Sequence, residues 1–202
     1  MHRRRAPLAA AFAAQLFFLP AAAADAAPVH TTYLWHMHQP IYWPASSAWT
    51  PHRYETAYET ITLGHSQNDV FEIFNKDDRV HDYQDYPRTA LSMILDIPDA
   101  GAQVSFAAAL VENVKSLADN GWNGGRYAAD WYSDYRTARS WTTSGGRRRL
   151  DMVLVAAHHP IAPLIDENAF RREIEVAKAA YGTAWGDALY SKGFFPAETC
   201  FS

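Results

Sequence analysis

Two histidines, His36 and His38, stand two residues apart at the end of a strand-like stretch, residues 31–36. In a β-strand, residues two apart point to the same face, so both imidazoles are expected to face one direction. α/β barrels and open α/β sheets place their chemistry at the carboxyl ends of strands. Pro40 is expected to end the strand and to open a loop carrying Trp43, whose flat apolar ring suits stacking on a ligand. The pattern predicts a polar site at this strand end.

Strand-like and helix-like stretches alternate along the rest of the chain. Residues 103–107 and the apolar run 150–156 have strand length, whereas 109–119 and 166–181 have apolar residues at helical spacing. Such alternation is typical of βα units and of a parallel sheet. We therefore predict an α/β fold in which 31–36, 103–107 and 150–156 are adjacent parallel strands.

Local signals refine this prediction. Pro98 and Gly182 each predict the end of a helix. The basic run Arg147–Arg149 follows Ser-Gly-Gly, and it predicts a solvated loop and not a polyanion site. A stripe of residues at helical spacing predicts a packing face: Tyr127, Trp131, Tyr135 and Ala138.

The N-terminus has the pattern of a secretory signal. Arg3–Arg5 is a positively charged run, residues 6–20 are apolar, and small residues follow. We predict that residues 1–27 are a signal peptide and that residues 28–202 are the exported part. The protein is then secreted or periplasmic, with no membrane association after signal removal.

Charge and cysteine content limit the partners and the covalent structure. The formal net charge is −4, which argues against a nucleic-acid partner. Cys200 is the only cysteine, so no disulfide can form within the chain.

Five landmarks then occur in order along the chain: His36-Met37-His38-Gln39-Pro40, Tyr86-Pro87-Arg88, the stretch from Val104-Ser105-Phe106 to Glu112, His159-Pro160, and Gly193-Phe194-Phe195-Pro196-Ala197-Glu198. Their order and spacing resemble the N-terminal half of glycoside hydrolase family 57, a family of retaining enzymes that act on α-glucans. The resemblance covers nearly all of residues 30–202. It implies that residues 28–202 form an incomplete parallel (β/α) barrel of the glycoside hydrolase/deacetylase type.

The resemblance also implies roles for individual residues. Glu198 corresponds to the catalytic nucleophile. His36, His38 and Gln39 correspond to groups lining the subsite that holds the reacting sugar, and His159 corresponds to a further active-site position. Histidine and glutamine can supply neutral hydrogen-bond donors to sugar hydroxyls.

Aromatic rings complete the implied binding site. Trp43 is expected to stack on the sugar. Phe195 stands where the family commonly has tryptophan, so a stacking face is kept while the indole N–H donor is lost. The resemblance implies an α-glucan or oligosaccharide substrate, and it implies no metal ion or other cofactor. The sequence leaves the oligomeric state open.

A retaining glycosidase needs two carboxyl groups about 5–5.5 Å apart, a nucleophile and an acid/base. In the family the acid/base Asp lies on a strand well beyond the nucleophile, and no Asp of this sequence stands in a matching motif. We therefore expect a truncated N-terminal part of an amylase-type or glucanotransferase-type catalytic domain. Alone, it is expected to be nearly inactive.

Two alternatives stay open. The first is a metal-dependent carbohydrate deacetylase-like hydrolase, because His36, His38 and His159 are suitable Zn²⁺ ligands. Against it, such sites usually carry an Asp beside the first histidines, and Met37 and Gln39 hold those positions. The second is a non-catalytic carbohydrate-binding remnant that keeps the histidine and aromatic surface without an acid/base.

Overall fold

The computed structural model describes residues 31–42, 54–65 and 69–200. The predicted signal peptide, residues 1–27, and Trp43 lie outside the described residues. All described residues except Thr31 belong to one compact unit.

Parallel strands alternate with helices through the described ranges, as the strand-like and helix-like patterns predict. None of the helices in these ranges is both long enough and apolar enough to span a membrane. The elements are β1 (Leu34–Met37), α1 (Ala57–Thr62), α2 (Val70–Asn75), α3 (Asp77–Asp82), α4 (Tyr86–Ser92), β2 (Ala102–Phe106), α5 (Ala108–Asp119), α6 (Trp122–Gly125), α7 (Ser133–Ser140), β3 (Leu150–Val153) and α8 (Glu167–Trp185), with short 3-10 turns at Ala162–Leu164 and Ala197–Thr199.

The three strands form one parallel sheet in the order β1-β2-β3. A single parallel bridge between Leu154 and Phe194 extends the sheet beyond β3. The predicted adjacency of the three strands is confirmed, although β1 and β3 are shorter than the sequence pattern indicates. The small parallel sheet with its helices is consistent with an incomplete α/β fold, and closure into a barrel stays a prediction.

The two faces of the sheet have different surroundings. Val104 and Met152, paired across β2 and β3, are buried in the hydrophobic core. His36, Ser105 and Val153 are likewise paired in register, one residue further along, and therefore face the other way. The alternation thus separates a packing face from a face that carries polar side chains.

An aromatic cluster centred on Phe106, the last residue of β2, forms much of the core. The centroid of its ring lies 6.1 Å from that of Tyr83, 5.8 Å from those of Trp131 and Tyr135, and 5.4 Å from that of Trp185. All members of the predicted aromatic stripe are buried, so its interpretation as a packing face is confirmed.

Both predicted helix ends are wrong. α8 continues through Gly182 to Trp185, and Gly186, with φ 77°, is its C-cap. A glycine inside a helix costs about 1 kcal/mol, which the burial of Ala184 and Trp185 in the core offsets. α4 ends at Ser92 and not at Pro98.

The prediction of a solvated basic loop is wrong for Arg149. Its side chain is buried, while Arg147 and Arg148 are exposed. The Arg149 guanidinium donates to backbone carbonyls that follow α4 and precede β3: those of Leu95, Ile97, Pro98, Ala100 and Thr142. The buried cation thus binds carbonyls of the turns after α4 and after α7, whereas α4 itself ends in i→i+3 hydrogen bonds from the N–H of Met93 to Ala90 and from the N–H of Ile94 to Leu91.

Candidate active site

The three predicted site histidines meet at the carboxyl edge of the sheet. His36 belongs to β1, His38 directly follows it, and His159 lies in the turn after β3. The Nε2 atoms of His36 and His159 are 2.8 Å apart, and the rings of His38 and His159 stack with centroids 4.1 Å apart. The His36 and His38 rings are nearly parallel, 13° between planes, as their spacing predicts.

Phe195 and Glu198 reach the same cluster from the last described segment. The Phe195 amide donates to the Leu154 carbonyl at 2.8 Å, and its ring centroid lies 4.5 Å from that of His36. Glu198 Oε1 lies 4.0 Å from His159 Nδ1, and its side chain is 71% exposed. The structure therefore brings five of the sequence-predicted site residues together, and their roles stay predictions.

The backbone is strained at this cluster. His159, Glu198 and Thr199 have φ values of 58°, 52° and 55°, in the left-handed region that residues with a Cβ rarely adopt. Such conformations cost about 1–3 kcal/mol each and concentrate at functional sites. The surrounding structure, and not local preference, therefore sets the backbone conformation at His159 and Glu198.

A contact from α8 holds the turn that carries His159. The backbone N–H of His158 donates to Glu173 Oε2 at 2.7 Å, and His158 Nδ1 lies 2.7 Å from Glu173 Oε1. One carboxylate thus binds both the backbone and the ring of the residue before His159. These two contacts stabilise a turn that the His159 backbone alone disfavours.

Desolvation favours the neutral form of all three imidazoles. Desolvation, and after it the neighbouring His159 and His36, lower the pKa of His38 to about 4. Desolvation and His159 also lower the pKa of His36, while Glu198 opposes this shift. Desolvation also lowers the pKa of His159, and Glu198 again acts in the opposite direction. At neutral pH each ring therefore offers one N–H donor and one lone pair, which suits uncharged hydroxyl groups.

Within the described residues, the Gln39 side chain makes no hydrogen bond to the three histidines. Its side chain is buried, its amide donates to Tyr83 Oη at 2.9 Å, and its carbonyl accepts from Tyr42. These contacts tie the end of β1 to the core near α3. A substrate-binding role for Gln39 stays a prediction, as does that of Trp43, which lies outside the described residues.

Several polar neighbours of the histidine cluster belong to no sequence pattern that would identify them. Ser105 Oγ lies 2.6 Å from His36 Nδ1, and Ser105 is fully buried. Tyr54 packs edge-on against His158, with centroids 5.7 Å apart, and donates to the Glu112 carboxylate. Desolvation and this carboxylate raise the Tyr54 pKa. Only the strand register, once known, identifies Ser105 as the partner of His36.

The described residues contain no group of three or more His, Cys, Asp or Glu side chains arranged to hold a metal ion. Within the cluster, the Nε2 atoms of His36 and His159 are already at hydrogen-bond distance from each other. The metal-dependent alternative stays a prediction that a metal assay tests.

The chain is similar in sequence to a known alpha-amylase. No protein-family model matches the chain. The chain is 25% identical over 217 aligned positions to an alpha-amylase of Niallia circulans, an alignment that covers 93% of this chain. The chain spans 17% of that relative's length. The chain thus has homology, at low identity, to an alpha-amylase, which is a glycoside hydrolase, while membership of family 57 stays a prediction.

Among solved structures, the crystal structure of the alpha-amylase AmyC from Thermotoga maritima matches with a TM-score of 0.40 and 12% sequence identity. The match covers 82% of this chain and 34% of that one.

Proposed function

We propose that this chain is the nucleophile-bearing part of a retaining, α-glucan-active glycoside hydrolase, of the amylase or glucanotransferase type. One observation carries the proposal: three neutral imidazoles and the Glu198 carboxylate converge on the carboxyl edge of a parallel sheet. The homology to an alpha-amylase supports the same class of reaction.

Glu198 acts as the nucleophile in this proposal. Its exposed carboxylate attacks the anomeric carbon, and the leaving oxygen is protonated by a second carboxyl group. Water, or another sugar hydroxyl, then releases the glycosyl group from Glu198. We propose that the acid/base lies outside these 202 residues, because no Asp of the sequence matches the acid/base motif of family 57.

The histidines bind the reacting sugar in this proposal. His38, whose Nδ1 has no hydrogen-bond partner among the described residues, binds the hydroxyls, and these bonds strengthen as positive charge develops on the ring. His36 and His159 line the same subsite, since their ring nitrogens face Ser105, each other and Glu198. The Phe195 ring, packed on His36, provides an apolar edge of the same site. We further propose export to the periplasm or the medium, with removal of residues 1–27; N-terminal sequencing of exported protein tests this.

The decisive experiment replaces Glu198 in a protein extended by its downstream coding sequence. An activated aryl α-malto-oligosaccharide is the substrate, since its leaving group needs little acid catalysis. Glu198→Gln should lower kcat by about a thousandfold or more while leaving glucan binding largely intact, because a charge is lost and not a shape. His38→Ala should lower kcat/KM by about ten- to a thousandfold, as expected for lost hydrogen bonds to hydroxyls.

The control is Glu175→Gln, an equally conservative change at an exposed position of α8. Azide should restore activity to Glu198→Gly, and a 5-fluoroglycosyl fluoride should label Glu198 covalently in the parent. Activity of Glu198→Gln within tenfold of the parent would overturn the assignment of the nucleophile. Glucan binding by the 202-residue chain without any turnover in the extended protein would favour the non-catalytic alternative.

A further inference from the structure

Three side chains from separate parts of the fold form a hydrogen-bonded line whose end faces a fourth, the Glu198 carboxylate. Ser105 Oγ lies 2.6 Å from His36 Nδ1, and His36 Nε2 lies 2.8 Å from His159 Nε2. His159 Nδ1 then faces Glu198 Oε1 at 4.0 Å, beyond a hydrogen bond but close enough for an electrostatic interaction. The line runs from the buried strand β2 to the exposed carboxylate.

Each neutral imidazole carries one N–H and one lone pair, so the line has only two consistent proton arrangements. In the first, Ser105 donates to His36, His36 donates to His159, and the Nδ1–H of His159 points at Glu198. In the second, all directions reverse: His159 donates to His36, His36 donates to Ser105, and a bare Nδ1 lone pair faces Glu198.

The carboxylate end favours the first arrangement. An ionised carboxylate only accepts hydrogen bonds. The first arrangement turns a donor toward Glu198, whereas the second turns the lone pair of His159 Nδ1 toward an anionic oxygen. The second is therefore repulsive at this end.

The serine end favours the first arrangement independently. When His36 donates to Ser105 Oγ, the serine hydroxyl proton needs another acceptor. Ser105 is fully buried, and in the described part of the chain its Oγ has a hydrogen bond with His36 alone. A buried donor without an acceptor is unfavourable, so the Ser105 hydroxyl donates its proton to His36 Nδ1.

We propose that Ser105 is a positioning residue that fixes the tautomers of His36 and His159, so that His159 presents its Nδ1–H to Glu198. The functional meaning rests on the proposed role of Glu198 as nucleophile: a donor beside the carboxylate orients it and favours the ionised form that attacks. The tautomers themselves do not depend on that role.

The imidazole ¹⁵N shifts of the labelled 202-residue chain at pH 7 test the inference directly. His36→Gln and His159→Gln variants assign the signals, and magic-angle-spinning NMR gives the same shifts if the chain associates. The parent should show the Nε2–H tautomer for His36 and the Nδ1–H tautomer for His159. The opposite tautomer at either histidine in the parent would overturn the inference, whatever the Ser105 variants do.

Two Ser105 variants test whether Ser105 fixes the tautomers of His36 and His159. Ser105→Ala should give a mixture of tautomers at both histidines, and Ser105→Thr, which keeps the hydroxyl, should restore single tautomers. Ser140→Ala, a change at an exposed serine of α7, is the matched control and should leave both shifts unchanged. Single, unchanged tautomers in Ser105→Ala would show that Ser105 does not fix them.

An activity measurement connects this inference to the proposed function and keeps the two separable. In the extended protein, Ser105→Ala should lower kcat by about tenfold with little change in KM, since one hydrogen bond acting through two rings is lost. Ser105→Thr should recover most of this loss. If Glu198→Gln stays active while the tautomers are as expected, the proposed function fails and the tautomer assignment stands.

Discussion

The Nε2 atoms of His36 and His159 lie within 2.8 Å of each other, although 123 residues separate them in the chain. Parallel strands explain this proximity, because the carboxyl ends of β1 and β3 lie at one edge of the sheet and the segment after β3 carries His159. At that distance one nitrogen carries a proton and the other a lone pair. Two protonated rings there would repel, and after desolvation the neighbouring His159 is the second cause of the lowered pKa of His36.

The cluster predicts how stability depends on pH. Burial lowers the pKa of folded His38 to about 4, whereas an unfolded histidine titrates near 6.5. Between these pH values the unfolded chain binds more protons, so the free energy of unfolding falls as the pH falls from about 6.5 to 4. His38 should account for about 1–2 kcal/mol of this fall in the free energy of unfolding, because solvent at the partly exposed ring screens part of the effect.

Urea unfolding of the parent and of His38→Phe at several pH values measures this share. The difference in unfolding free energy between the two proteins should change across that window, because only the parent carries the His38 proton. His81→Phe is the control, since His81 lies at an exposed position of α3. Identical pH slopes in the parent and in His38→Phe would contradict the prediction.

The location of the histidines was predictable because it depends on two regular features. The period of two along a strand places His36 and His38 on one face, and parallel pairing brings the ends of β1 and β3 together. The apolar run at 150–156 and the alternation with helices were sufficient to predict that pairing.

Other features depend on three-dimensional contacts that have no local signature. Ser105 contacts His36 only because of the register between β1 and β2, and Glu173 reaches His158 only because α8 packs nearby. Arg149 looks like part of a polar loop until the carbonyls around it are known. The helices α2 and α3, of six residues each, are too short for a clear apolar period.

The strained backbone at Glu198 predicts a gain in stability on substitution by glycine. Glu198 has φ 52° and a side chain that is 71% exposed, so truncation removes few contacts. Glu198→Gly should be about 1 kcal/mol more stable than Glu198→Ala, since only glycine adopts this conformation without strain. Thermal unfolding by circular dichroism measures the difference.

The same pair of substitutions at Glu175, on an exposed face of α8, should give the opposite sign. There the glycine variant should be less stable than the alanine variant by about 1 kcal/mol, because glycine is a poor helix former. The same sign at both positions would show that the Glu198 backbone is not strained.

The buried guanidinium of Arg149 predicts a large loss of stability. Its substitution by methionine removes the donor from five backbone carbonyls between α4 and β3. Arg149→Met should lower the free energy of unfolding by about 2–4 kcal/mol in urea, and Arg149→Lys should recover part of it. Arg147→Met, at an exposed neighbour, should change it by less than about 0.5 kcal/mol. Equal losses in Arg149→Met and Arg147→Met would refute this account.

The free edge of β1 predicts self-association of the 202-residue chain. Among the described strands, β1 pairs only with β2. A groove of about 330 Å³ is lined by residues of β1 and by α4 with its C-terminal turn, and Met93 beside it is 75% exposed. Tyr33, directly before β1, is 74% exposed. An unpaired strand edge next to exposed apolar side chains favours association between chains.

Size-exclusion chromatography with light scattering should therefore show oligomers or aggregates at micromolar concentration, and the protein should bind the dye ANS. The double variant Tyr33→Lys with Met93→Glu should shift the population toward monomer, because it places charges beside the free edge. Leu164→Lys is the matched control, since Leu164 is 77% exposed but lies in the 3-10 turn after β3. A parent chain that is monomeric, cooperative in unfolding and free of ANS binding would contradict the prediction. Equal dissociation by the control and the double variant would place the contact elsewhere than at β1.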